Sequence, residues 1–494
     1  QQEKVAPLFE EVKANFEKHT EDDHVDFYAE RIIPRILSQE GPKAATADIN
    51  GDGLADLFIG GANNKGSQIY LQTSNGDFKP KPQIAFNAFT SYEDVAAVFF
   101  DADKDGDMDL LVGSGGNNRL SNRGELNHRL FLNDGKANFT HLADAFPVFE
   151  YNTGVMVPLD YDLDGDLDVF VGARNTPLKY GVTPSSALYQ NDGFGKFKDV
   201  TSTIAPDFSK LGMVTSAVWG KITSKPRSSL IVVGDYMYPV IYAFENGKMV
   251  EQASNLNGMS GWWQSIQMAD IDGDGFQDLI IGNMGENGYL KPTPAAPVKL
   301  WINDFDGNES IDKILTRTID GKDVPVFMKG EMQEQIPLLK KENLNYEIYA
   351  KKAFQALFKK ELVDKAAMKL YNYTSSIIAW GKGDGQFDVQ RLPNEVQFSS
   401  LNAMVSTDVN ADGKTDLVLG GNQFGFLPQF GRLDANYGLV LINKGKRVLE
   451  VVEDKQSGLA ITGQVRDMVL FQQGVQKKVL FFRNNQAPVF MKLK

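Results

Sequence analysis

The chain has 494 residues, no cysteine and a net charge of −13, from 51 basic and 64 acidic side chains. The lack of cysteine excludes disulfides, thiolate metal sites and cysteine nucleophiles. The acidic balance argues against a nucleic-acid partner, because phosphate binding needs a basic surface. No apolar run approaches the roughly 20 residues of a membrane-spanning helix.

Residues 1–47 form a lead-in before the first repeat. Leu8, Val12 and Phe16 recur at helical spacing, so 8–18 is either a short helix or, in a ring of sheets, the strand that closes the ring. The chain begins with Gln1 and Gln2 and no initiator methionine, which indicates a processed or truncated product.

From residue 48 onward, a nine-residue acidic pattern recurs with Asp or Asn at positions 1, 3, 5 and 9 and glycine at position 6. Alternating oxygen ligands on a tight turn suit Ca²⁺. The pattern therefore predicts about five bound calcium ions. The five copies are Asp48, Asn50, Asp52, Asp56; Asp101, Asp103, Asp105, Asp109; Asp160, Asp162, Asp164, Asp168; Asp270, Asp272, Asp274, Asp278; and Asp408, Asn410, Asp412, Asp416.

Each copy is followed by an apolar run and a glycine, as at 57–60 and 110–113. An EF-hand is excluded, because its loop ends in a glutamate at position 12, where these copies have aliphatic residues. Solvated acidic turns are the alternative. That alternative suits a single copy far better than five copies at one spacing.

The second copy shows the whole repeat unit. Apolar strands are predicted at 95–100, 110–112, 129–132 and 139–142, with a tight turn at Asn133-Asp134-Gly135 between the last two. Degenerate units without an acidic loop occur at 214–247 and 465–483. The resulting count is seven four-stranded units, which predicts an all-β, seven-bladed β-propeller over 48–494 with calcium loops.

A mainly helical insertion is predicted at 305–375, in blade five, because Tyr346, Ala350, Ala353 and Leu357 form an apolar stripe. A candidate sixth metal site precedes it. Gly307 stands at position 4 of this copy, and no apolar strand is expected after it. Its residues are Asp304, Asp306, Asn308 and Asp312.

These loops resemble the FG-GAP/VCBS repeat family, the calcium-loop propellers also found in integrin α-subunit heads. The segments 38–42, 261–265, 303–308 and 431–435 resemble the C-terminal propeller of bacterial surface VCBS-repeat (ASPIC/UnbV-associated) proteins. The resemblance implies an exported protein at the cell surface or outer membrane of a Gram-negative bacterium. It also implies a binding or assembly role, such as that of an accessory subunit in a TonB-dependent transporter assembly.

The longer loops are expected at the end of the ring opposite the acidic loops, and they carry aromatic and arginine side chains that favour partner contacts. Packing between blades is the alternative for the two tryptophans, and a solvated rim is the alternative for the arginines. The predicted interaction face consists of Arg119, Arg174, Tyr180, Tyr236, Trp262, Trp263, Tyr289, Phe424 and Arg432.

Catalytic motifs are absent from the sequence. The four histidines, His19, His24, His128 and His141, show no HExxH spacing, and no nucleophile elbow or P-loop occurs. The acidic pairs are assigned to calcium, so the chain is predicted to be a non-enzymatic scaffold with a protein partner at the outer membrane. An extracellular glycan-binding propeller and a polysaccharide-active enzyme are the alternatives.

Overall fold

The structure is a computed structural model that describes residues 6–117, 123–342 and 345–494. The chain is all-β, and its strands form four-stranded antiparallel sheets joined by short loops. This arrangement is that of a β-propeller.

The strands follow one another sheet by sheet along the chain, after an isolated first strand, β1 (Phe9–Val12). Sheet 1 contains β2 (Ala44–Ala47), β3 (Asp56–Ile59), β4 (Gln68–Gln72) and β5 (Phe78–Pro80). Sheet 2 contains β6 (Asp94–Phe100), β7 (Asp109–Ser114), β8 (Arg129–Asn133) and β9 (Phe139–Leu142). Sheet 3 contains β10 (Asn152–Leu159), β11 (Asp168–Asn175), β12 (Ala187–Asn191) and β13 (Phe197–Asp199). Sheet 4 contains β14 (Met213–Gly220), β15 (Ser229–Met237), β16 (Val240–Glu245) and β17 (Lys248–Gln252), and β18 (Gly261–Trp262) pairs with β15.

Sheet 5 is interrupted by a second sheet. It begins with β19 (Ser265–Ala269) and β20 (Asp278–Gly282). The insertion sheet follows, with β21 (Val298–Asn303), β22 (Asp312–Ile319), β23 (Lys322–Pro325) and β24 (Ala367–Tyr371). Sheet 5 then ends with β25 (Ile377–Gly381) and β26 (Phe387–Arg391). Sheet 6 contains β27 (Leu401–Thr407), β28 (Asp416–Gly421), β29 (Leu439–Asn443) and β30 (Leu449–Val451). Sheet 7 contains β31 (Gln464–Gln473), β32 (Gln476–Asn484) and β33 (Val489–Leu493).

The helices in the described part of the chain are short. The α-helices are α1 (Asp26–Ala29), α2 (Thr201–Ile204), α3 (Lys329–Gln335), α4 (Leu338–Glu342), α5 (Tyr346–Ala350), α6 (Lys360–Lys365) and α7 (Asp454–Ser457). Single 3-10 turns occupy Ile84–Phe89, Arg123–Leu126, Pro206–Lys210, Phe354–Ala356, Asn394–Phe398 and Pro428–Phe430. None of these helices is long and apolar enough to cross a membrane.

The first strands of sheets 1 to 7 contact one another in chain order, and β31 of sheet 7 contacts β2 of sheet 1. The second strands, such as β11 and β15, are buried along their whole length, because each lies between neighbouring sheets. First strands such as β10 alternate buried with half-buried residues. This pattern places the first strands around a central channel and the apolar core between the sheets.

Sheet 7 is completed by the N-terminal lead-in. β1 pairs antiparallel with β33 in a register that sets Phe9 opposite Leu493. Residues 8–18 were predicted to form either a short helix or the strand that closes the ring, and the structure has the closing strand. The outer edge of the last sheet is covered by a strand from the other end of the chain.

The insertion is larger than the sequence predicted, and it contains a four-stranded sheet in addition to helices. It runs from 283 to 376, between β20 and β25, and it combines the insertion sheet with α3 to α6. The apolar stripe at 346–357 predicted a helix there; the structure has α5 at Tyr346–Ala350 and a separate 3-10 turn at Phe354–Ala356, and the stripe residues Tyr346 and Ala350 are exposed. The strands were missed because β22 mixes three aliphatic residues with lysine, arginine and threonine, and because β24 is only five residues long.

Residues 19–42, which we call the strap, cross the end of the ring opposite the acidic loops. Near its start, the strap amide of Glu21 donates to Asn485 of sheet 7. Further along, Glu30 accepts from Lys313 Nζ in the insertion at 2.6 Å. The backbone of Arg35 then forms an isolated antiparallel β-bridge with Phe426, in the loop after β28. The strap is thus in contact with several sheets before the chain enters β2.

Candidate metal centres

Each acidic loop joins the first strand of a sheet to its second strand. In sheet 2 the loop begins at Asp101, directly after β6, and ends at Asp109, the first residue of β7. The aspartates at position 9 of the other copies also open a second strand, namely Asp56, Asp168, Asp278 and Asp416. The loops therefore lie at one end of the ring.

The aspartate at position 9 ties each loop to its sheet. Asp109 is fully buried, and its Oδ1 accepts from the amide of Asn133 at 2.8 Å while its Oδ2 accepts from the amide of Ala102 at 2.9 Å. Burial raises the pKa of Asp109 to about 7, and the carboxylates of Asp103 and Asp105 add to the shift. A nearby cation would favour the charged form of such a group.

The six loops share one backbone conformation, the candidate sixth included. Position 4 has φ between +58° and +77° and is occupied by Gly51, Lys104, Leu163, Gly273, Gly307 and Ala411. Position 6 has φ between +65° and +93° and is occupied by Gly53, Gly106, Gly165, Gly275, Glu309 and Gly413. This left-handed backbone is the reason why glycine recurs in the pattern.

The turn wraps around the carboxylate at position 1. Asp270 accepts from the amide of Gly273 at 2.8 Å and from the amide of Gly275 at 3.0 Å. Asp304 does the same with the amides of Gly307, at 2.7 Å, and Glu309, at 2.9 Å. The carboxylate is thereby held toward the inside of the loop.

In four of the loops, three carboxylates converge. One side-chain oxygen from each member lies within 4.8 Å of the others. The groups are Asp101, Asp103, Asp109; Asp160, Asp162, Asp164; Asp270, Asp272, Asp278; and Asp304, Asp306, Asp312. The other two loops have Asn50 and Asn410 at position 3, where an amide oxygen replaces a carboxylate.

Several oxygens in these groups have no hydrogen-bond donor. Asp101 Oδ1, Asp103 Oδ1, Asp162 Oδ1 and Asp306 Oδ1 are all buried without a partner among the described residues. Burying unpaired carboxylate oxygens close together is unfavourable unless a cation compensates them. An all-oxygen donor set suits a hard divalent cation such as Ca²⁺. The residues present fit that group.

The candidate sixth loop is built like the other loops. Asp312 is fully buried, its Oδ2 accepts from the amide of Phe305 at 2.9 Å, and it opens β22. The expectation that no apolar strand follows was wrong, because Ile314 and Leu315 in β22 are fully buried. The insertion sheet thus carries a copy of the same strand–loop–strand unit.

Among the described residues, basic side chains contact candidate ligand residues in two of the loops. Lys414 Nζ lies 3.0 Å from Asp412 Oδ2 within its own loop. Arg447 Nε donates to Asp272 Oδ2 at 2.7 Å from the neighbouring sheet. A cation at either of these loops would share a carboxylate with an existing ion pair. The loops therefore differ in how many of their carboxylates are free to bind a cation.

Asparagines at the end of the third strand have a role that the sequence did not reveal. Asn191 Nδ2 donates at 2.8 Å to the carbonyl of Ala102, in the acidic loop of the preceding sheet. Asn133 and Asn443 make the same bond to Ile49 and Ile271. As a sequence motif, Asn-Asp-Gly indicates only a turn. Its first residue also links neighbouring sheets at the acidic loops.

The predicted interaction face is largely covered. Arg174, Tyr180, Tyr236, Trp262 and Trp263 are buried, so five of the nine predicted residues are not available to a partner. The strap and the insertion cover them. These two segments are distant in sequence from the loops, and the loop-length argument did not account for them. For Trp262 and Trp263, the alternative to partner contact was packing inside the protein, and the structure has them packed inside.

The contacts that cover this face are specific. Tyr371 of the insertion stacks on Trp262 at 4.5 Å between ring centroids. The Arg35 guanidinium of the strap lies 5.7 Å from the centroid of the Trp262 ring. The strap residue Glu30 accepts from the amide of Tyr180 at 2.8 Å. These residues surround one apolar cluster that includes Ile33 of the strap.

Three of the nine residues keep exposed surface. Tyr289 and Arg432 are exposed, and Phe424 is half-buried beneath the Arg432 guanidinium, at 3.8 Å. Tyr289 packs on Phe430 at 5.4 Å, so this exposed patch centres on the loop between β28 and β29. Arg119 lies outside the described residues.

Comparisons with known proteins point to the repeat and not to a particular protein. Residues 48–112 match the family model of the FG-GAP-like repeat, and residues 262–295 match that of the FG-GAP repeat. No curated protein matches the chain by sequence.

Solved structures with similarity over the chain length include the biofilm matrix protein Bap1 of V. cholerae. It is 10% identical with a TM-score of 0.40, and the match covers 98% of this chain and 91% of that one. YCF48 from Cyanidioschyzon merolae is 9% identical with a TM-score of 0.44, covering 93% and 98%. A structure of YCF48 bound to D1 peptide is 7% identical with a TM-score of 0.41, covering 99% and 97%. Scores this low carry no argument about function.

Proposed function

We propose that the chain is a seven-bladed, calcium-stabilised β-propeller that acts as a non-enzymatic binding scaffold at the outer surface of a Gram-negative bacterium. The observation that carries the proposal is the acidic loop itself. It recurs with one backbone conformation in sheet after sheet, and its buried carboxylate oxygens lack donors in the described part of the chain. Loops of this kind fix the ends of neighbouring strands, and the rigid frame then presents loops to a partner.

Calcium has a structural role in this proposal. A cation that binds only the folded state stabilises it by mass action, by about 2.7 kcal/mol for each site at a hundredfold excess over Kd. We expect chelation to lower Tm markedly. Asp164→Ala, which removes one carboxylate of the converging group in sheet 3, should weaken that sheet without abolishing folding. Identical melts in EDTA and in calcium would contradict the metal assignment.

The partner is proposed to be a protein in an outer-membrane complex, such as a TonB-dependent transporter assembly. Its docking site is proposed at the exposed patch formed by Tyr289 of the insertion and by Phe424 and Arg432 of the loop between β28 and β29. Exposed aromatic and arginine side chains at the edge of a rigid scaffold are favoured contact residues. The partner is not expected to bind at the other loop residues of this end, because the strap and the insertion cover them.

The experiment is a pull-down from gently extracted native membranes, followed by mass spectrometry of what is retained. A stoichiometric outer-membrane component is expected, and Tyr289→Ala combined with Phe424→Ala should reduce its recovery. Phe194→Ala removes an exposed aromatic side chain from the turn after β12 and serves as the matched control. Recovery of the chain alone would overturn the accessory role, and a saccharide screen would then test glycan binding.

A further inference from the structure

A polar cavity of about 40 Å³ lies on the central axis, at the strap-covered end of the channel. It is lined by a residue near the start of the first strand of each of sheets 1 to 7, together with Glu40 of the strap and Arg174 of β11. A single water needs about 10–15 Å³ measured in this way. The cavity therefore has room for roughly three waters or for one small polyatomic ion.

Backbone irregularities direct side chains into this cavity. Five of the first strands contain a β-bulge near their start, and the unpaired residue of each bulge lines the cavity. The bulge residues are Val95, Gly154, Thr215, Asn402 and Arg466. A bulge turns a side chain away from the regular alternation of a strand, and bulges are over-represented beside functional sites.

Arg466 is a buried cation without an acidic partner among the described residues. Its guanidinium donates to Gln423 Oε1 at 3.1 Å, to the carbonyl of Gln39 at 2.8 Å and to Gln464 Oε1 at 3.2 Å, all neutral oxygens. Its Nε has no acceptor in the same ranges of the chain. Burial lowers the pKa of Arg466 to about 10; the nearby guanidiniums of Arg35 and Arg174 add to this shift, and the carboxylates of Glu40 and Glu21 oppose it.

Among the charged residues that line the cavity, the three cations Lys43, Arg174 and Arg466 outnumber the one carboxylate, that of Glu40. Arg174 donates from Nε to Glu40 at 2.9 Å, and its Nη2 lies 2.8 Å from Asp235 Oδ2, while its Nη1 has no acceptor in the described part of the chain. Asp235 is also the partner of Arg35, so one carboxylate serves two guanidiniums. Asp467, beside Arg466, is already bound by the amides of Ala44 and Met468.

Two further donors line the cavity, beside the side-chain oxygen of Asn402, a buried acceptor that has no hydrogen-bond partner among the described residues. Among the described residues, Lys43 Nζ donates only to the carbonyl of Arg466, at 2.8 Å. The hydroxyl of Thr153, a buried residue on the opposite side of the ring, has no hydrogen-bond partner there. Buried polar groups are nearly always satisfied in folded proteins, so these unused donors indicate an acceptor in the cavity.

We propose that this cavity binds one small oxyanion, of the size of acetate or sulfate, through Arg466, Arg174, Lys43 and Thr153. The anion supplies acceptors for the unused donors, and its charge offsets the excess of buried cations. Charge-assisted bonds to guanidinium are among the strongest hydrogen bonds in proteins. The half-buried side chains of the first strands lead from this cavity toward the opposite end of the channel. Anion binding at this site does not depend on the proposed partner.

The experiment measures Tm of the full chain at fixed calcium and fixed ionic strength while sodium acetate or sodium sulfate replaces sodium chloride. Tm is expected to rise with at least one oxyanion, in a saturable manner. Arg466→Met removes the unpaired charge and should weaken the apparent affinity about tenfold or more. Arg227→Gln removes an exposed arginine from the loop between β14 and β15 and should leave the anion effect unchanged.

A second variant covers the case in which Arg466→Met does not fold. Thr153→Val keeps the shape of the side chain and removes a hydroxyl that makes no bond to the described residues. Folding should therefore be retained while the apparent anion affinity falls. An equal Tm in chloride, acetate and sulfate would mean that the cavity holds only water. That result, or an anion effect that survives in Thr153→Val and in any folded Arg466→Met, would overturn the proposal.

Discussion

Glu309 occupies a backbone position that the other acidic loops give to glycine. Its φ is +65°, and its side chain is exposed. A left-handed conformation costs a residue with a Cβ about 1–2 kcal/mol. We expect Glu309→Gly to raise the free energy of unfolding by about 1 kcal/mol, measured by denaturant titration in calcium. Gly165→Ala in the loop of sheet 3 is the reverse change and should lower it by a similar amount. No change in either variant would contradict the shared loop conformation.

His128 should make the protein sensitive to mild acid. The ring is buried between Phe149 and Tyr189 with neither nitrogen hydrogen-bonded among the described residues, and burial lowers its pKa from 6.5 to about 3. Between these values the unfolded chain binds a proton that the folded chain does not, so stability is lost as pH falls below 6.5. At pH 5 the loss is about 2 kcal/mol.

His128→Phe keeps an aromatic ring in this cage and removes the titrating group. The variant should therefore gain stability relative to the parent protein as pH is lowered from about 7.5 to about 5, measured by unfolding at saturating calcium. His141→Phe is the control, because this ring is only partly buried. Parallel pH profiles for His128→Phe and the parent protein would contradict the assignment.

At the scale of elements, the asparagine links explain how one acidic loop supports the next sheet. Asn191 is buried, its amide donates to Asp168 at 2.8 Å and its side chain donates to the loop of the preceding sheet. Asn191→Ala leaves buried carbonyls without a donor, at a cost of about 1–3 kcal/mol. Asn75→Ala, in the exposed turn after β4, should cost much less. Chemical denaturation of both variants measures the difference.

The sequence could predict elements whose geometry is local. The acidic loops, the second strands and the tight turns follow from spacing, because nine consecutive residues determine the loop conformation. The insertion sheet was not predicted, since β24 joins β21 across a long stretch of chain, and no local pattern reveals such a pairing. Gly307 set the candidate sixth loop apart in the sequence, although Gly51 and Gly273 occupy the same position in two of the five predicted calcium loops and have the same backbone conformation.

At the scale of the whole molecule, the strap decides which surface is free. The aromatic and arginine residues of the long loops could be found in the sequence, but their burial depends on a segment that returns from the other end of the chain. Asp26, near the start of the strap, accepts from the amide of Leu37, so the strap also holds its own fold. A pattern within each loop contains no information about such a cover. The interaction face was therefore the least predictable part of the site.

Closure of the ring joins the two ends of the chain. Phe9 in β1 is almost fully buried and belongs to the cluster of Met491 and Leu459, and the amide of Lys494 donates to the carbonyl of Leu8 at 3.0 Å. Without β1, the edge of β33 would present unpaired backbone groups, which favour association between copies. Phe9→Ala should lower the free energy of unfolding by about 3–5 kcal/mol.

The same variant should form concentration-dependent oligomers, because fraying of β1 exposes the edge of sheet 7. Val12→Ala, at the half-buried end of the same strand, is the matched control and should stay closer to the parent protein in both respects. Unfolding by denaturant gives the stability, and light scattering over a concentration series gives the oligomeric state. A Phe9→Ala protein that loses stability but stays monomeric would place the role of this residue in core packing alone. A protein unchanged in both would show that the ring holds without β1.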